Sequence, residues 1–289
     1  MSTLEPREAI KPLTRFPYRS RAANDLEYAP GNLWLGPFGL HEKDLKIDFG
    51  QPLRPFLVTD ILDCCAKDER NGSVDSKLFW NLTVGTRIEC LLLILSCSGV
   101  TSFPIQFRCP GIGCEQESEV EISVSELSEI QERAYEAERL ALTCGSATLA
   151  LRRPTGADQL AWLNSSFASE ENALATMLRT LLLDTTNIAP DTKMSRDLIE
   201  IAGQAMEEFD PLVSFSLTVQ CPFCAEESRC EIDLEELSIR ILRNAQRRLL
   251  KAVHRLAIHY HWSEPQIFSL PYWRRAHYLA LIEAEARKK

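Results

Sequence analysis

Two stretches of the chain, FPIQFRCPGIGCEQESEVEIS (103–123) and FSLTVQCPFCAEESRCEIDLE (215–235), follow the same pattern. Each begins with alternating apolar residues, continues with Cys-Pro and a second cysteine, and ends in an acidic run whose apolar residues also alternate. A period of two is typical of β-strands, and the Cys-Pro segment between the runs is expected to turn. The sequence therefore predicts the same cysteine-tipped hairpin twice.

The two predicted tips contain four cysteines with the spacings C-x4-C and C-x2-C: Cys109, Cys114, Cys221 and Cys224. Tetrahedral zinc takes four thiolates in many structural sites, and two turns that each supply a pair of sulfurs can complete such a site. We expect one zinc ion held by these four cysteines. This requires a fold in which the two distant hairpins come together.

Other interpretations of these cysteines stay open. Zinc knuckles favour glycine after the second cysteine, where φ is positive, whereas this chain has Glu115 and Ala225 there. The thiols could instead be buried side chains at ordinary turns, or a pair that never forms a disulfide. A thioredoxin-like redox site fits poorly, because its second cysteine enters a helix, whereas CPFC here leads into a turn and a strand.

The composition of the chain bounds its class. With 289 residues, 45% hydrophobic and 25% charged, it can bury one large core or two modest ones. The longest apolar run, Cys90 to Leu95, is far shorter than the roughly 20 residues of a membrane span, and MSTLEPREAIKPLTR has no apolar signal core. We therefore expect a cytoplasmic protein without a membrane partner. In a reducing compartment five further cysteines are expected to be small buried hydrophobic residues: Cys64, Cys65, Cys90, Cys97 and Cys144.

Charge is distributed unevenly along the chain. Residues 239–289 contain eleven Lys and Arg against three Asp and Glu, a balance of +8; the whole chain carries −9, so residues 1–238 carry −17. Helical spacing places five cations in one stripe: Arg240, Arg243, Arg247, Lys251 and Arg255. A solvated helix face, or one neutralised by the protein's own acidic strands, is favoured over nucleic-acid binding in a chain of pI about 5.2.

The pattern along the chain predicts an α+β fold that is mostly helical. The two hairpins form a zinc-ribbon-like unit, with an inserted helical segment and a C-terminal helical tail. We expect five segments: a loosely ordered N-terminal arm (1–50), a first helix-hairpin half (51–127), a helical insert (128–212), the second hairpin (213–235), and a long helix with a helical tail (236–289). The order helix, hairpin, helix then occurs twice, which suggests a pseudo-symmetric duplication.

Capping residues and apolar spacing predict where the helices begin. Thr86, with Glu89 three residues later, indicates the start of the helix that contains Leu91 to Leu95. A helix is expected from about Ser125 to Leu142 after the first hairpin. Further starts are expected at Thr155, Ser169, Ser195, Asp233, Ser263 and Pro271.

Five motifs follow one another along the chain: LTVGTRIECLLLIL (82–95), RCPGIGC (108–114), RRPTGADQL (152–160), QCPFC (220–224) and RRLLKAVHRLAIHYHWSEPQIFSLPYWRRAHYLALI (247–282). Their order resembles that in the phage baseplate hub assembly chaperone family, which belongs to contractile-tailed phages and bacterial contractile injection systems. The resemblance covers roughly residues 50–285. The departures are the longer first knuckle and the missing glycines after both knuckles.

The resemblance implies a non-enzymatic role: assisting the assembly of hub or baseplate subunits, or remaining at that site as a minor component. Its partners would be hub or tail proteins, with no small-molecule substrate. Because the resemblance is most specific in the tail, partner binding is expected at Arg247, Arg248, Lys251, Arg255, Trp262, Trp273, Arg274, Arg275 and Tyr278.

Two other classes remain possible from sequence. A zinc-ribbon adaptor would bind nucleic-acid phosphates through the basic stripe, with strong salt dependence. A metal-assisted enzyme would need an open coordination position, for which His254 or His259 beside Cys230 are candidates. A four-thiolate site is closed and therefore disfavours the enzyme.

Overall fold

The computed structural model of the chain describes residues 13–17, 32–69, 74–144, 147–183 and 194–287. The fold is α+β and mostly helical, as predicted. Its helices are α1 (Arg54–Cys65), α2 (Ser76–Asn81), α3 (Val84–Cys97), α4 (Val124–Ala134), α5 (Gly156–Leu163), α6 (Glu170–Leu181), α7 (Arg196–Phe209), α8 (Leu234–Tyr260), α9 (Glu264–Ser269) and α10 (Tyr272–Ala286). Its strands are β1 (Thr14–Arg15), β2 (Leu33–Leu35), β3 (Ala66–Asp68), β4 (Ser102–Arg108), β5 (Glu117–Ser123), β6 (Leu140–Cys144), β7 (Ala147–Leu151), β8 (Ser216–Gln220) and β9 (Glu227–Glu231).

The two predicted cysteine hairpins are β4–β5 and β8–β9. Both are antiparallel, with Phe103 opposite Ile122 in the first and Val219 opposite Ser228 in the second. Helix α3 precedes the first hairpin and α4 follows it, while α7 and α8 flank the second in the same way. The predicted repetition of helix, hairpin and helix is therefore present.

Helix α3 is the centre of the main core. Twelve of its fourteen residues are buried, which is typical of a helix surrounded by other elements rather than one with a solvated face. It packs on α1, α4 and α8, and fully buried Leu91 and Leu92 belong to this core. The roots of both hairpins join the same core through Phe103 and Phe215, so the core fixes the base of each hairpin.

The start of α3 differs from the prediction. Thr83, not Thr86, caps the helix, because the Thr83 hydroxyl accepts the amide of Thr86. Thr86 itself lies inside the first turn, and its hydroxyl, like that of Thr83, is within hydrogen-bond distance of the hydroxyl of Tyr135. Threonine is a favourable N-cap residue, so the sequence allowed the helix to begin after either Thr83 or Thr86. In the structure it begins after Thr83.

Residues 32–50 are not part of a loosely ordered arm. Strand β2 pairs with both β1 and β3, and Leu33, Leu35 and Phe38 are buried in the main core. The buried carboxylate of Asp44 accepts three backbone amides, those of residues 39, 40 and 41. The arm prediction therefore fails for this segment, because its few apolar residues find a sheet partner that lies distant in the chain. Residues 1–12 and 18–31 of the predicted arm lie outside the described residues.

The insert between the hairpins contains a third hairpin. Helix α4 ends at Ala134, and Leu140 to Leu142, which we expected at the end of this helix, instead belong to β6, which pairs with β7. This hairpin and helices α6 and α7 enclose a second apolar cluster, which includes Leu151, Leu178 and Ala202. The predicted caps Thr155, Ser169 and Ser195 are confirmed by their hydrogen bonds to the following helices.

The C-terminal helices fold back on α8. Asp233 caps α8, which ends at His261 in the left-handed conformation with φ of 56°. Fully buried Ile267 of α9 and Ile282 of α10 pack against α8 in a third apolar cluster. The rings of Tyr260 and Trp262 stack 4.7 Å apart, and both pack edge-on against Tyr278, as in many buried aromatic groups.

Candidate metal centre

The two hairpin tips bring the four predicted cysteines into one cluster. The sulfur atoms of Cys109, Cys114, Cys221 and Cys224 all lie within 4.8 Å of one another. Across the hairpins, the sulfurs of Cys109 and Cys224 are 3.5 Å apart, and those of Cys114 and Cys221 are 3.7 Å apart. Four sulfurs around one tetrahedral zinc ion are separated by roughly 3.7 Å. The predicted convergence is confirmed, and the four cysteines could hold one metal ion.

Backbone hydrogen bonds shape each tip. In the first, the Cys109 amide donates to the carbonyl of Gln116 and the Cys114 amide donates to the carbonyl of Gly111. In the second, the Cys221 amide donates to Glu226 and the Ala225 amide donates to Cys221. The longer first loop therefore still closes into a turn that presents its two sulfurs inward.

The positions after the second cysteines have positive φ, although neither is glycine. Glu115 has φ of 47° and Ala225 has φ of 62°. The left-handed conformation is the one in which knuckles usually have glycine, because a side chain there crowds the backbone. The missing glycines therefore do not prevent the turns; each tip adopts the knuckle backbone with a residue that is less suited to it.

The surroundings raise the pKa of one thiol in the cluster and lower the pKa of another. A hydrogen bond from Gly111 lowers the pKa of Cys109, but burial and hydrogen bonds to the other sulfurs outweigh it and raise the pKa to about 12. Burial raises the pKa of Cys221, but the amides of Phe223 and Cys224 and the neighbouring thiols lower it to about 7. The thiols of Cys109 and Cys221 therefore differ in how readily they lose a proton. A metal ion would displace the protons of the cysteines that bind it, because its ligands are thiolates.

The remaining cysteines are separate from this centre. Cys64, Cys65, Cys90 and Cys97 are buried free thiols, as predicted, whereas the side chain of Cys144 lies outside the described residues. Cys230 is half-buried on β9. Within the described part of the chain, no group that could hold a metal includes Cys230 or a histidine. The described residues therefore do not support the hypothesis of a metal site formed by Cys230 with His254 or His259. The ring nitrogen of His259 lies 3.0 Å from the carboxylate of Glu285.

The predicted basic stripe is divided between exposed and partnered cations. Arg255 forms an ion pair of 2.9 Å with Glu283 of α10, and Arg243 lies over the ring of Phe49. Within the described ranges, no ion pair is formed by the exposed cations of α8: Arg240, Arg247, Arg248 and Lys251. Three of the predicted partner-binding cations on this helix are therefore available at the surface.

The predicted partner-binding residues of the tail divide in the same way. Trp273 is 68% exposed, and Arg274 is exposed beside the ring of Tyr278. Trp262 and Tyr278 are half-buried in the aromatic cluster around Tyr260. They therefore pack within the protein and offer only part of their surface.

Arg275 was predicted to bind a partner, but it is buried within the protein. Its side chain is only 7% exposed, donates to the carbonyl of Leu40 at 2.6 Å, and lies near the rings of Phe268 and Tyr272. Burial lowers its pKa. Arg275 therefore joins α10 to the segment around Leu40 and does not face a partner.

A groove that the sequence did not reveal lies between α8, α10 and the segments around Phe38 and Val100. Its volume is about 390 Å³, and its lining is mostly apolar, with Leu249 and Leu279 among the residues. Arg248 and Glu283 also line it. Periodicity could not predict the groove, because it is formed where four segments that are distant in the chain meet.

Two exposed apolar residues at the metal centre were also missed. Ile112 is fully exposed and Phe223 is 64% exposed, each within the loop between two cysteines. The sequence contained a signal for this exposure, because a tight loop that turns both of its sulfurs inward leaves no buried space for the side chains between them.

Comparisons with known proteins assign no family to this chain. No family model matches it, and neither the curated proteins nor the solved structures contain a match. Among the helices formed by the described residues, none combines the length and apolarity needed to cross a membrane.

Proposed function

We propose that the protein is a non-enzymatic assembly factor of a contractile tail or injection machine. It would bind a baseplate hub or tail protein in the bacterial cytoplasm, as an assembly chaperone or as a minor component that is retained in the particle. The order of motifs in the sequence resembles the baseplate hub assembly chaperone family and supports this proposal. The structure contributes a surface suited to such a partner.

The surface of the helical tail is the observation that carries the proposal. An exposed tryptophan, Trp273, lies beside exposed Arg274, and an apolar groove runs along the same helix with Arg248 in its lining. Exposed aromatic and arginine side chains are enriched at protein interfaces, where they contribute most of the binding energy. A hub protein with an acidic, partly apolar surface would fit this tail.

We propose that the metal is zinc in a structural role. Four thiolates are the donor set of closed zinc sites, which leave no coordination position for a reacting water. The four cysteines come from two hairpins whose roots are already fixed in the core, so a bound ion would join their tips. The role of the metal is then to hold the two hairpins in one orientation.

The test uses a tagged full-length chain expressed together with the genes that neighbour its own. We expect a baseplate hub or tail protein, identified by mass spectrometry, to co-purify with the wild-type chain. The variant Trp273→Ser should lose this protein while its thermal unfolding is unchanged, because the side chain is mostly exposed. Leu163→Ser, at an exposed position of α5, is the matched control and should retain it.

Truncation after Tyr260 would be a poorer test of the same idea. It would remove Ile267 and Ile282 and expose the apolar face of α8 that they cover. Loss of binding could then follow from misfolding. Co-purification of a hub protein with Trp273→Ser at the wild-type level would show that this part of the tail is not the binding surface.

The unpaired cations of α8 favour one second candidate, an adaptor that binds nucleic acid. Arg247 and Lys251 are exposed on one side of this helix, as phosphate contacts would require. Such binding would weaken steeply as the salt concentration rises, since counterion release drives it. Binding of a duplex DNA of mixed sequence, measured at several salt concentrations and compared between wild type and Arg247→Gln with Lys251→Gln, decides this candidate.

A further inference from the structure

The tips of the two metal-binding hairpins form an exposed surface, which we call the knuckle patch. Its apolar residues are Ile112, fully exposed, and Phe223, 64% exposed. The two loops that contain them lie close together: a side chain added at Gly111, next to Ile112, would lie 3.3 Å from the sulfur of Cys224, which follows Phe223. Isolated exposed hydrophobic residues are common, but two at the tips of one shared centre form a patch.

Negative charge surrounds the knuckle patch. The hairpins contain seven glutamates and two arginines. Both arginines are already paired, Arg108 with Glu115 and Arg229 with Glu207. Among the described residues, no ion pair involves the exposed glutamates nearest the tips: Glu117, Glu226 and Glu227. A surface that covers this patch should therefore be apolar at its centre and basic at its edge.

Helix α10 has a surface of that kind, which we call the tail patch. Trp273 and Leu281 are 68% and 50% exposed, and their spacing of eight residues places them on one side of the helix. Arg274 and Arg287 are exposed on the same helix. Of the acidic residues of α10, Glu283 contributes little opposing charge because it pairs with Arg255, and Glu285 lies 3.0 Å from the ring nitrogen of His259.

The two patches are complementary, and none of the described residues covers either of them. Both have exposed apolar centres, so they do not contact each other in one molecule. The charge of their regions is opposite in sign, +8 for residues 239–289 and −17 for the rest. We propose that the protein associates with a second copy of itself, the knuckle patch of one chain contacting the tail patch of another.

This contact requires little ordering of either surface. The knuckle loops are short and closed by backbone hydrogen bonds, and Trp273 lies in the first turn of a helix that is packed on α8. Rigid surfaces lose less conformational freedom on association. A contact between two different patches closes into a dimer if both patches of each chain are used, and otherwise continues into longer assemblies.

The test measures the mass of the purified, full-length, metal-containing chain by sedimentation and light scattering at about 100 µM, where a weak contact would be occupied. We expect wild type to form species of twice the 32.7 kDa chain mass or more. A knuckle variant, Ile112→Ser with Phe223→Ser, and a tail variant, Trp273→Ser with Leu281→Ser, should each be monomeric. Leu163→Ser, which replaces an equally exposed leucine on α5, should associate as wild type does.

Mixing the two variants gives the decisive result. The knuckle variant retains an intact tail patch and the tail variant retains an intact knuckle patch, so the mixture should form a complex of one chain of each, and no larger. Monomeric wild type would overturn the proposal, as would self-association of either variant or a mixture that stays monomeric. Metal content equal to that of wild type confirms that the knuckle variant keeps its centre.

The proposal does not depend on the function assigned above. Self-association is measured with the purified chain alone, whereas the proposed function is tested by co-purification of a hub or tail protein. Either result can fail without the other.

Discussion

At the scale of single residues, the backbone conformations after Cys114 and Cys224 are the least expected feature of the metal centre. Glu115 and Ala225 adopt positive φ without being glycine. For an L-residue the left-handed conformation costs about 1–2 kcal/mol. The left-handed conformations of these two residues therefore lower the stability of the protein, and a glycine at either position could restore part of it.

Ala225→Gly is expected to stabilise the protein by up to about 1 kcal/mol, because relief of the left-handed conformation exceeds the added entropy of the unfolded chain. Denaturant unfolding measures this difference. The same change at Ala161, an exposed position inside α5, should instead destabilise by about 1 kcal/mol. A loss of stability at both positions would show that Ala225 is not strained.

Asp158 joins two parts of the insert at this same scale. Its carboxylate accepts both terminal nitrogens of Arg152, at 2.6 and 2.9 Å, and the amide of Thr155. Burial raises the pKa of Asp158, but the hydrogen bonds from Arg152 and Thr155 outweigh it and lower the pKa below 3.8. Its ionised form is therefore favoured in the folded state.

Asp158→Asn is expected to lower the free energy of unfolding by about 2 kcal/mol at pH 7, since charge-assisted hydrogen bonds are lost. The stability from Asp158 is fully present above its ordinary pKa of 3.8 and disappears as the pH falls through the lowered pKa of the folded state.

The difference between wild type and the variant, followed by unfolding at several pH values, should therefore shrink below about pH 4. Glu200→Gln, which disrupts an exposed pair with Arg196, should have almost no effect at any pH. A difference between Asp158→Asn and wild type that is independent of pH would contradict this account.

At the scale of elements, the two cysteine-tipped hairpins are held in different ways at their two ends. Their roots belong to the main core through Phe103, Ile122 and Phe215, whereas their tips meet through the four cysteines. Because the strands between are short and half-exposed, the tips depend on the metal more than the roots do. Metal removal should therefore loosen the hairpins before the helices.

Cys221→Ser with Cys224→Ser is expected to abolish metal binding, because two of four ligands are lost. Elemental analysis should find one equivalent of zinc in wild type and none in the variant. Hydrogen exchange should accelerate in β4, β5, β8 and β9 while α3 stays protected, since α3 is buried among other helices.

Cys230→Ser, on β9 but outside the cluster, is the matched control and should keep the full metal content. Less than about a tenth of an equivalent of any metal in well-folded wild type would refute the site, because metal binding is coupled to folding.

At the scale of the whole molecule, two of the sequence motifs meet. The amide of Val84 donates to Pro154 and the amide of Gly156 donates to Leu82, which brings LTVGTR beside RRPTG. The glycines of both motifs allow close approach. A side chain at Gly85 would lie 1.8 Å from an oxygen of Asp210, and one at Gly156 would lie 2.6 Å from the guanidinium of Arg87.

The buried charges at this junction are stabilised by neighbouring polar groups. Arg87 donates to the carbonyls of Phe79 and Pro55, and burial lowers its pKa to about 10. Asp210 accepts the side chain of Gln131 at 2.8 Å and the amide of Gly85. The first half and the insert therefore meet through hydrogen bonds that leave no space for added atoms.

Gly85→Ala is expected to destabilise the protein by about 2–3 kcal/mol, because the added methyl group must displace Asp210 or Gln131. Thermal or denaturant unfolding measures the effect. Gly203→Ala, in the middle of α7, is the matched control, because among the described residues only its own helix has atoms within 4 Å of the added carbon. It should stabilise by up to about 1 kcal/mol, as in an exposed helix. Equal effects of the two substitutions would show that the junction is not closely packed.

The sequence by itself determined the local elements and the identity of the four clustered cysteines. Helix α8 begins where the sequence predicted a helix start, at Asp233, and the two hairpins follow from alternation. The four cysteines could be grouped because two similar tips each supply two sulfurs. These features depend on residues close in the chain, for which spacing is a sufficient guide.

Only the tertiary structure decided the features that depend on distant residues. Strand β2 forms because β3 is its partner, β6 replaces the end of a predicted helix because it pairs with β7, and Arg275 is buried because Leu40 accepts its hydrogen bond. The groove along α8 arises in the same way. In each case the segment has weak local preference, so the contact that buries the most apolar surface and satisfies the polar groups determines its structure.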